Sequence, residues 1–185
     1  MQNEFDKAKA YINQSIEYNK DPISTIRSYF LLAGIQREQG FSLSAIKTYH
    51  MADSLTKFYK SEDEKYDFKS RIYHNLGNVF RELKDFNTAE KYFDKAIKYS
   101  KKTKKKNVLF DVELSYAILK TDQEKFNEAY SDLVKLEPLL LKDGNQKYNF
   151  GELLFYKGLS KSGLRSFHKA LKHFQEALQI YIEFG

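Results

Sequence analysis

The stretch Ser70–Thr103, SRIYHNLGNVFRELKDFNTAEKYFDKAIKYSKKT, decides the fold. Tyr73, Leu76 and Phe80 recur at three- and four-residue intervals, as the apolar stripe of a helix does. Phe86, Ala89, Phe93 and Ala96 form a second stripe after the polar break Lys84-Asp85. Gly77 lies twelve residues before Ala89, and a residue that small lets two helices approach closely. The stretch therefore predicts a helical hairpin.

The same frame recurs along the chain. Ala8, Ala45, Ala89, Ala129 and Ala170 anchor successive copies, separated by 37, 44, 40 and 41 residues. Ala33, Gly77, Ala117 and Gly158 supply the small residue before the last four anchors. Tyr49 with Ala52, Leu133 with Leu136, and Phe174 with Ala177 repeat the role of Phe93 with Ala96. Phe5, Ala8, Ile12 and Ser15 fit the frame at the N-terminus. Regular self-similarity at such a period is the mark of a solenoid of repeated supersecondary units.

These residues carry a resemblance to the tetratricopeptide repeat (TPR) family, clearest over 70–103. The spacing averages about 40 residues, longer than the minimal 34-residue repeat. It is similar to that of kinesin light chain and of peptide-sensing bacterial regulators of the Rap and PlcR type. The resemblance implies an all-α fold, a right-handed α-solenoid of antiparallel helix pairs. The expected organisation is a half repeat at 1–20 and full repeats at 26–59, 70–103, 110–143 and 151–184. The chain opens on a second helix and stops after a repeat without a polar cap, so it is expected to be a segment of a longer protein. Some places depart from the pattern: Gln36, Glu113, Lys120, Lys157 and Lys161 stand where apolar residues belong.

Composition narrows the chemistry. The 185 residues contain no cysteine, which excludes disulfides, thiolate metal sites and cysteine nucleophiles. Lys and Arg number 31 against 25 Asp and Glu, a net charge of +6. Lys101, Lys102, Lys104, Lys105 and Lys106 account for five of those charges, so the remainder is nearly balanced. The run reads as a solvated connector, and nucleic-acid binding is disfavoured because nothing resembling a base reader surrounds it. No 18-residue apolar stretch and no leader pattern occur, so neither membrane insertion nor export is expected and the location expected is cytoplasmic. His50, His74, His168 and His173 form no metal-ligand spacing, and no phosphate-binding or nucleophile motif is present. The expectation is a chain that is no enzyme and holds no metal or cofactor.

By the resemblance, the first helices of successive repeats line a concave surface that takes a peptide. The outward places are Arg27, Phe30, Gly34 and Arg37; then Arg71, His74, Asn75, Asn78 and Arg81; then Asp111, Leu114 and Ile118; then Glu152, Phe155 and Leu159. Four of the chain's five arginines fall on this list. Arginine offers a fork for carboxylates, and asparagine amides bond peptide backbone. The expected groove is basic and amide-rich at one end and apolar at the other. It would suit a protein or peptide ligand that is acidic or has a free carboxylate. The carboxylate clamp of chaperone-binding TPR domains is not reproduced, since Phe30, Gly34 and Ser115 break its set. The competing reading pairs these arginines internally, with Glu38 or Glu82. At the scale of function, the expectation is the sensory or scaffolding part of a regulator. The alternative is an assembly element that self-associates near Phe5, Ile12, Tyr181 and Phe184.

Overall fold

The computed structural model describes residues 2–18, 21–142 and 147–184, and it is all-α over them. The expectations placed on the side chains of Phe5, Lys106 and Phe184 lie outside what it describes. The helices are α1 (Gln2–Tyr18), α2 (Pro22–Glu38), α3 (Ser42–Leu55), α4 (Glu62–Glu82), α5 (Phe86–Ser100), α6 (Lys106–Asp122), α7 (Phe126–Lys142), α8 (Lys147–Gly163) and α9 (Phe167–Phe184). A 3-10 turn, Thr56–Phe58, follows α3. The chain divides into two compact units, Met1–Leu109 and Phe110–Gly185.

In the first unit α2 pairs with α3 and α4 with α5, while α1 lies against α2 and α3 against α4. The anchors Ala45 and Ala89 are fully buried, as are Ala52, Ala96, Phe93, Ile72 and Leu76. Gly77 shows why the small residue is there. A Cβ built on it would stand 2.6 Å from the Phe93 ring, so the ring lies directly on the α4 backbone. Local chemistry starts the helices. Asp21 caps α2, accepting from the Ile23 and Ser24 amides, with Pro22 opening the helix. Ser61 caps α4 ahead of Glu62, Asp63 and Glu64, which suit the positive end of the helix dipole. Asp85 caps α5 through the Thr88 amide.

In the second unit α7 packs on α8 and α8 on α9. Ala129, Ala170 and Ala177 are buried, and the Phe174 ring would meet a Cβ on Gly158 at 2.5 Å, repeating the Gly77 contact. Phe110, Leu114, Ala117, Ile118, Leu133, Leu136 and Leu153 form one apolar cluster.

The hairpin turns share one geometry. Gly40, Lys84, Glu124 and Arg165 each have positive φ, between 56° and 79°. Each donates its amide to the carbonyl three residues back, and the next residue donates to the carbonyl five back, as in Lys84→Arg81 and Asp85→Phe80. That doubled bond closes a helix C-terminus in the Schellman manner.

Four of the departures from the apolar pattern, Gln36, Lys120, Lys157 and Lys161, meet partners across the helices. Thr48 donates to Gln36 at 2.8 Å. At the equivalent places of the next hairpin Phe80 stacks on Tyr92, centroids 5.3 Å apart. In the following one Lys120 pairs with Asp132 at 2.6 Å. Lys161 instead lies 3.5 Å from the centre of the Tyr130 ring. Lys157 takes the place of Leu32 and Leu76, is 5% exposed, and bonds Glu137 at 2.9 Å.

Candidate functional site

In the first unit α2 and α4 carry the polar residues singled out by the sequence. The four-residue steps from Arg71 to Asn75, and from His74 to Asn78, hold them on one side of α4. Asn75 returns its amide to the Arg71 carbonyl at 2.9 Å. This leaves its side-chain oxygen to accept from Arg37 of α2 at 3.2 Å. Arg37 also bonds Glu82 at 3.1 Å and approaches Glu38 at 3.4 Å. Internal pairing of Arg37 is thus present, across the two hairpins as well as along α2.

Arg71 bonds the buried Asp67 at 3.2 Å, and Lys105 reaches the other oxygen of that carboxylate at 2.7 Å. With two cations on Asp67, the Arg71 side chain remains 44% exposed. The Asn78 amide nitrogen lies 3.1 Å from Nε2 of His74, and Asn78 itself is buried. Burial lowers the His74 pKa to about 4, and the positive charges of Arg37, Arg81 and Arg71 push the same way. His74 is therefore neutral near pH 7. Its Nε2 accepts from the Asn78 amide, which leaves the proton on Nδ1. The arrangement is a neutral imidazole within the field of three arginine charges.

Phe30 is half-buried, edge-on to Tyr49 and Phe68, each centroid 5.8 Å away. Arg27 is exposed. Burial raises the Tyr59 pKa, and Arg27 opposes that rise as hydrogen-bond donor and as charge.

The apolar residues of the second unit divide. Leu114 and Ile118 are 3% and 4% exposed, held in the cluster with Leu133 and Leu153. They serve packing and are removed from the accessible set, because an apolar side chain at an outward place is covered wherever a neighbouring helix offers apolar surface. Phe155 stays 40% exposed, in contact with Tyr156 and Phe174, and Leu159 is half-buried.

The lysine run is tied down, a feature sequence reasoning missed. Lys102 lies over the rings of Tyr66 and Tyr99, the Lys104 amide donates to Asp63 at 2.7 Å, and Lys105 holds Asp67. The acids Asp63 and Asp67 near the start of α4 were the signal available. Among the described residues no group of three His, Asp or Glu is placed to hold a metal, and no helix is long and apolar enough to cross a membrane.

Comparison with known proteins fits this geometry. The tetratricopeptide repeat family model matches residues 70–102. Over 178 residues the chain is 24% identical to outer dynein arm-docking complex subunit 4 of Bos taurus, covering 94% of this chain and 25% of that one. The chain thus spans a quarter of the length of that curated relative. Among solved structures, BtubC (BKLC) from P. vanneervenii superposes with a TM-score of 0.78 at 18% identity, covering 98% of this chain and 75% of that one. A Rap protein complexed with competence and sporulation factor gives 0.75 at 20% identity, covering 93% and 47%. Residues 70–102 are a tetratricopeptide repeat, and the chain carrying them has the all-α helix-pair fold of the TPR solenoids.

Proposed function

We propose that the chain is a peptide- or protein-binding module whose working surface is the arginine–amide face of α2 and α4. The observation that carries this reading is the half-exposed Arg71 guanidinium of α4, with Asn75 one turn on bridging to Arg37 of α2 at 3.2 Å. Arg37 and Arg71 are each held by a carboxylate of the chain, Glu82 and Asp67, which supports reading this face as one that takes anionic groups. Partial exposure of Arg71 gives an incoming carboxylate a fork to bind. Asn75, beside it, is the amide that a peptide backbone would engage by exchange with its bonds to Arg71 and Arg37. The ligand class is a peptide with acidic residues or a free C-terminal carboxylate. The likeness to a Rap protein complexed with competence and sporulation factor supports a binding role over a catalytic one. On this reading the chain comprises four repeats behind a half repeat. It acts as the sensory or scaffolding part of a longer, cytoplasmic regulator.

The test is an NMR titration of the His74 ring with acidic peptides carrying a free or an amidated C-terminus. Binding among the arginines raises the His74 pKa from about 4. Arg71→Glu weakens the interaction by tenfold or more with helicity unchanged. A ligand that binds without moving the His74 titration, or binds Arg71→Glu equally well, sinks the proposal.

A further inference from the structure

Arg37 and Arg71 belong to one face, and their surroundings differ in charge. All three side-chain nitrogens of Arg37 are engaged: Nε with Glu82 at 3.1 Å, one terminal nitrogen with Asn75 at 3.2 Å, the other with Glu38 at 3.4 Å. Two carboxylates outweigh its single charge. Arg71 meets Asp67 through Nε at 3.2 Å, so a ligand carboxylate would take its terminal nitrogens. Of the two, Arg71 is placed to receive an anion.

Asp67 opposes that ligand. Its side chain is 4% exposed, so water screens its charge poorly. Alone it would cancel the charge of Arg71 and repel a carboxylate arriving on the far side of the same guanidinium. Lys105 answers it, with Nζ 2.7 Å from the other oxygen, Oδ2. Arg71, Asp67 and Lys105 together carry one net positive charge, where Arg71 and Asp67 alone carry none.

Lys105 is set in place by the chain ahead of it. The connector from α5 to α6 is fastened to α4 before it reaches Lys105. The Lys102 ammonium lies 5.0 Å from the centre of the Tyr66 ring, and the Lys104 amide donates to Asp63 at 2.7 Å. Thr103 is buried, and its hydroxyl accepts the Lys105 amide at 3.2 Å. With its backbone held there, Lys105 reaches a carboxylate 38 residues away in sequence.

We propose that Lys105 is a positioning residue for anion capture: it occupies Asp67 and so leaves the charge of Arg71 to the ligand. This rests on the reading of α2 and α4 as a face that takes acidic peptides, and it names Arg71 rather than Arg37 as the arginine that receives the carboxylate. The connector thereby sets the affinity of the face. Any change that removes the Lys105 charge weakens capture without touching the arginine.

Two related arginine reagents read the charge at Arg71: phenylglyoxal, which is neutral, and 4-carboxyphenylglyoxal, which brings a carboxylate. Mass spectrometry of proteolytic peptides gives the labelling rate of each at Arg71. Lys105→Gln lowers the ratio of the carboxylate reagent to the neutral one by about three- to fivefold, the range of a partly exposed pair. Lys105→Arg restores it. Lys84→Gln removes the same charge about 20 Å along the helix axis, two screening lengths away at about 0.1 M salt, and leaves the ratio unchanged. The helical spectrum is the same for all three variants. Equal ratios in wild type and Lys105→Gln overturn the inference, as does an equal fall in Lys84→Gln, which would report net charge alone. A second arm titrates N-acetyl-hexaglutamate. Weaker binding to Lys105→Gln than to wild type supports the inference, and equal binding overturns it. A ratio that falls in Lys105→Gln while the peptide binds neither form upholds the role of Lys105 and counts against the peptide reading instead.

Discussion

His74 makes folding sensitive to acid in a direction that can be worked out. The unfolded chain protonates this ring near pH 6.5, whereas the folded chain does so only near 4. A folded pKa below the unfolded one means stability is complete above about 6.5 and is lost as pH falls toward 4. A shift of that size corresponds to about 3 kcal/mol at most. His173 is also lowered, mainly by burial, and adds to the same trend. The His74→Gln variant separates the two. Urea unfolding at pH 7 and pH 4.5 will show a smaller difference for the variant than for the wild type.

At this scale sequence reasoning reached the places of Ala45, Ala89, Phe93 and Ala170, because a small residue opposite a large ring at fixed spacing has few other uses. It could not see that Leu114 and Ile118 are covered. Their helical places are outward, and only the position of Leu153 shows what lies over them. Internal pairing of Arg37 was foreseeable as chemistry, while its third partner, Asn75, needed the geometry.

Helix by helix, the turns divide into one that the sequence announces and three that it hides. Gly40 marks a left-handed residue in plain letters; Lys84, Glu124 and Arg165 adopt the same backbone without glycine's freedom. A non-glycine residue there costs about 1 kcal/mol or more. Glycine returns a few tenths to 1 kcal/mol of that by loosening the unfolded chain. Lys84→Gly should therefore stabilise the protein by about 0.5–1 kcal/mol, read from the denaturation midpoint at constant slope. Its side chain is exposed. The polar residues inside the helix stripes were legible as anomalies and illegible as pairs. Gln36, Lys120 and Lys157 each find a partner on a neighbouring helix, at a separation no local pattern encodes.

For the whole chain, the repeat period gave the helix-pair fold, while the division at Leu109 and Phe110 has no mark in composition or spacing. Helix pairs that contact only their neighbours have local stability. Gly77→Ala tests this, since its Cβ would press into Phe93. Overpacking of that kind costs about 1–3 kcal/mol. Hydrogen exchange should accelerate in α4 and α5 and stay near the wild-type rate in α8 and α9. Uniform acceleration across both units would instead mean that the chain unfolds as one cooperative body.

The bond between Lys157 and Glu137 bears on how such a chain can change over generations. Arrays of similar repeats grow and shrink when copies duplicate, recombine or drop out. Here α8 brings an ammonium group into an interior place that is leucine in two earlier helices, and α7 answers it with a carboxylate. The place of Glu137 is Ile97 in α5. A recombinant that set α5 before α8 would strand a buried charge, at a cost of about 3–5 kcal/mol. That pair weighs against exchanging α7 for α5 and favours the inheritance of α7 and α8 together.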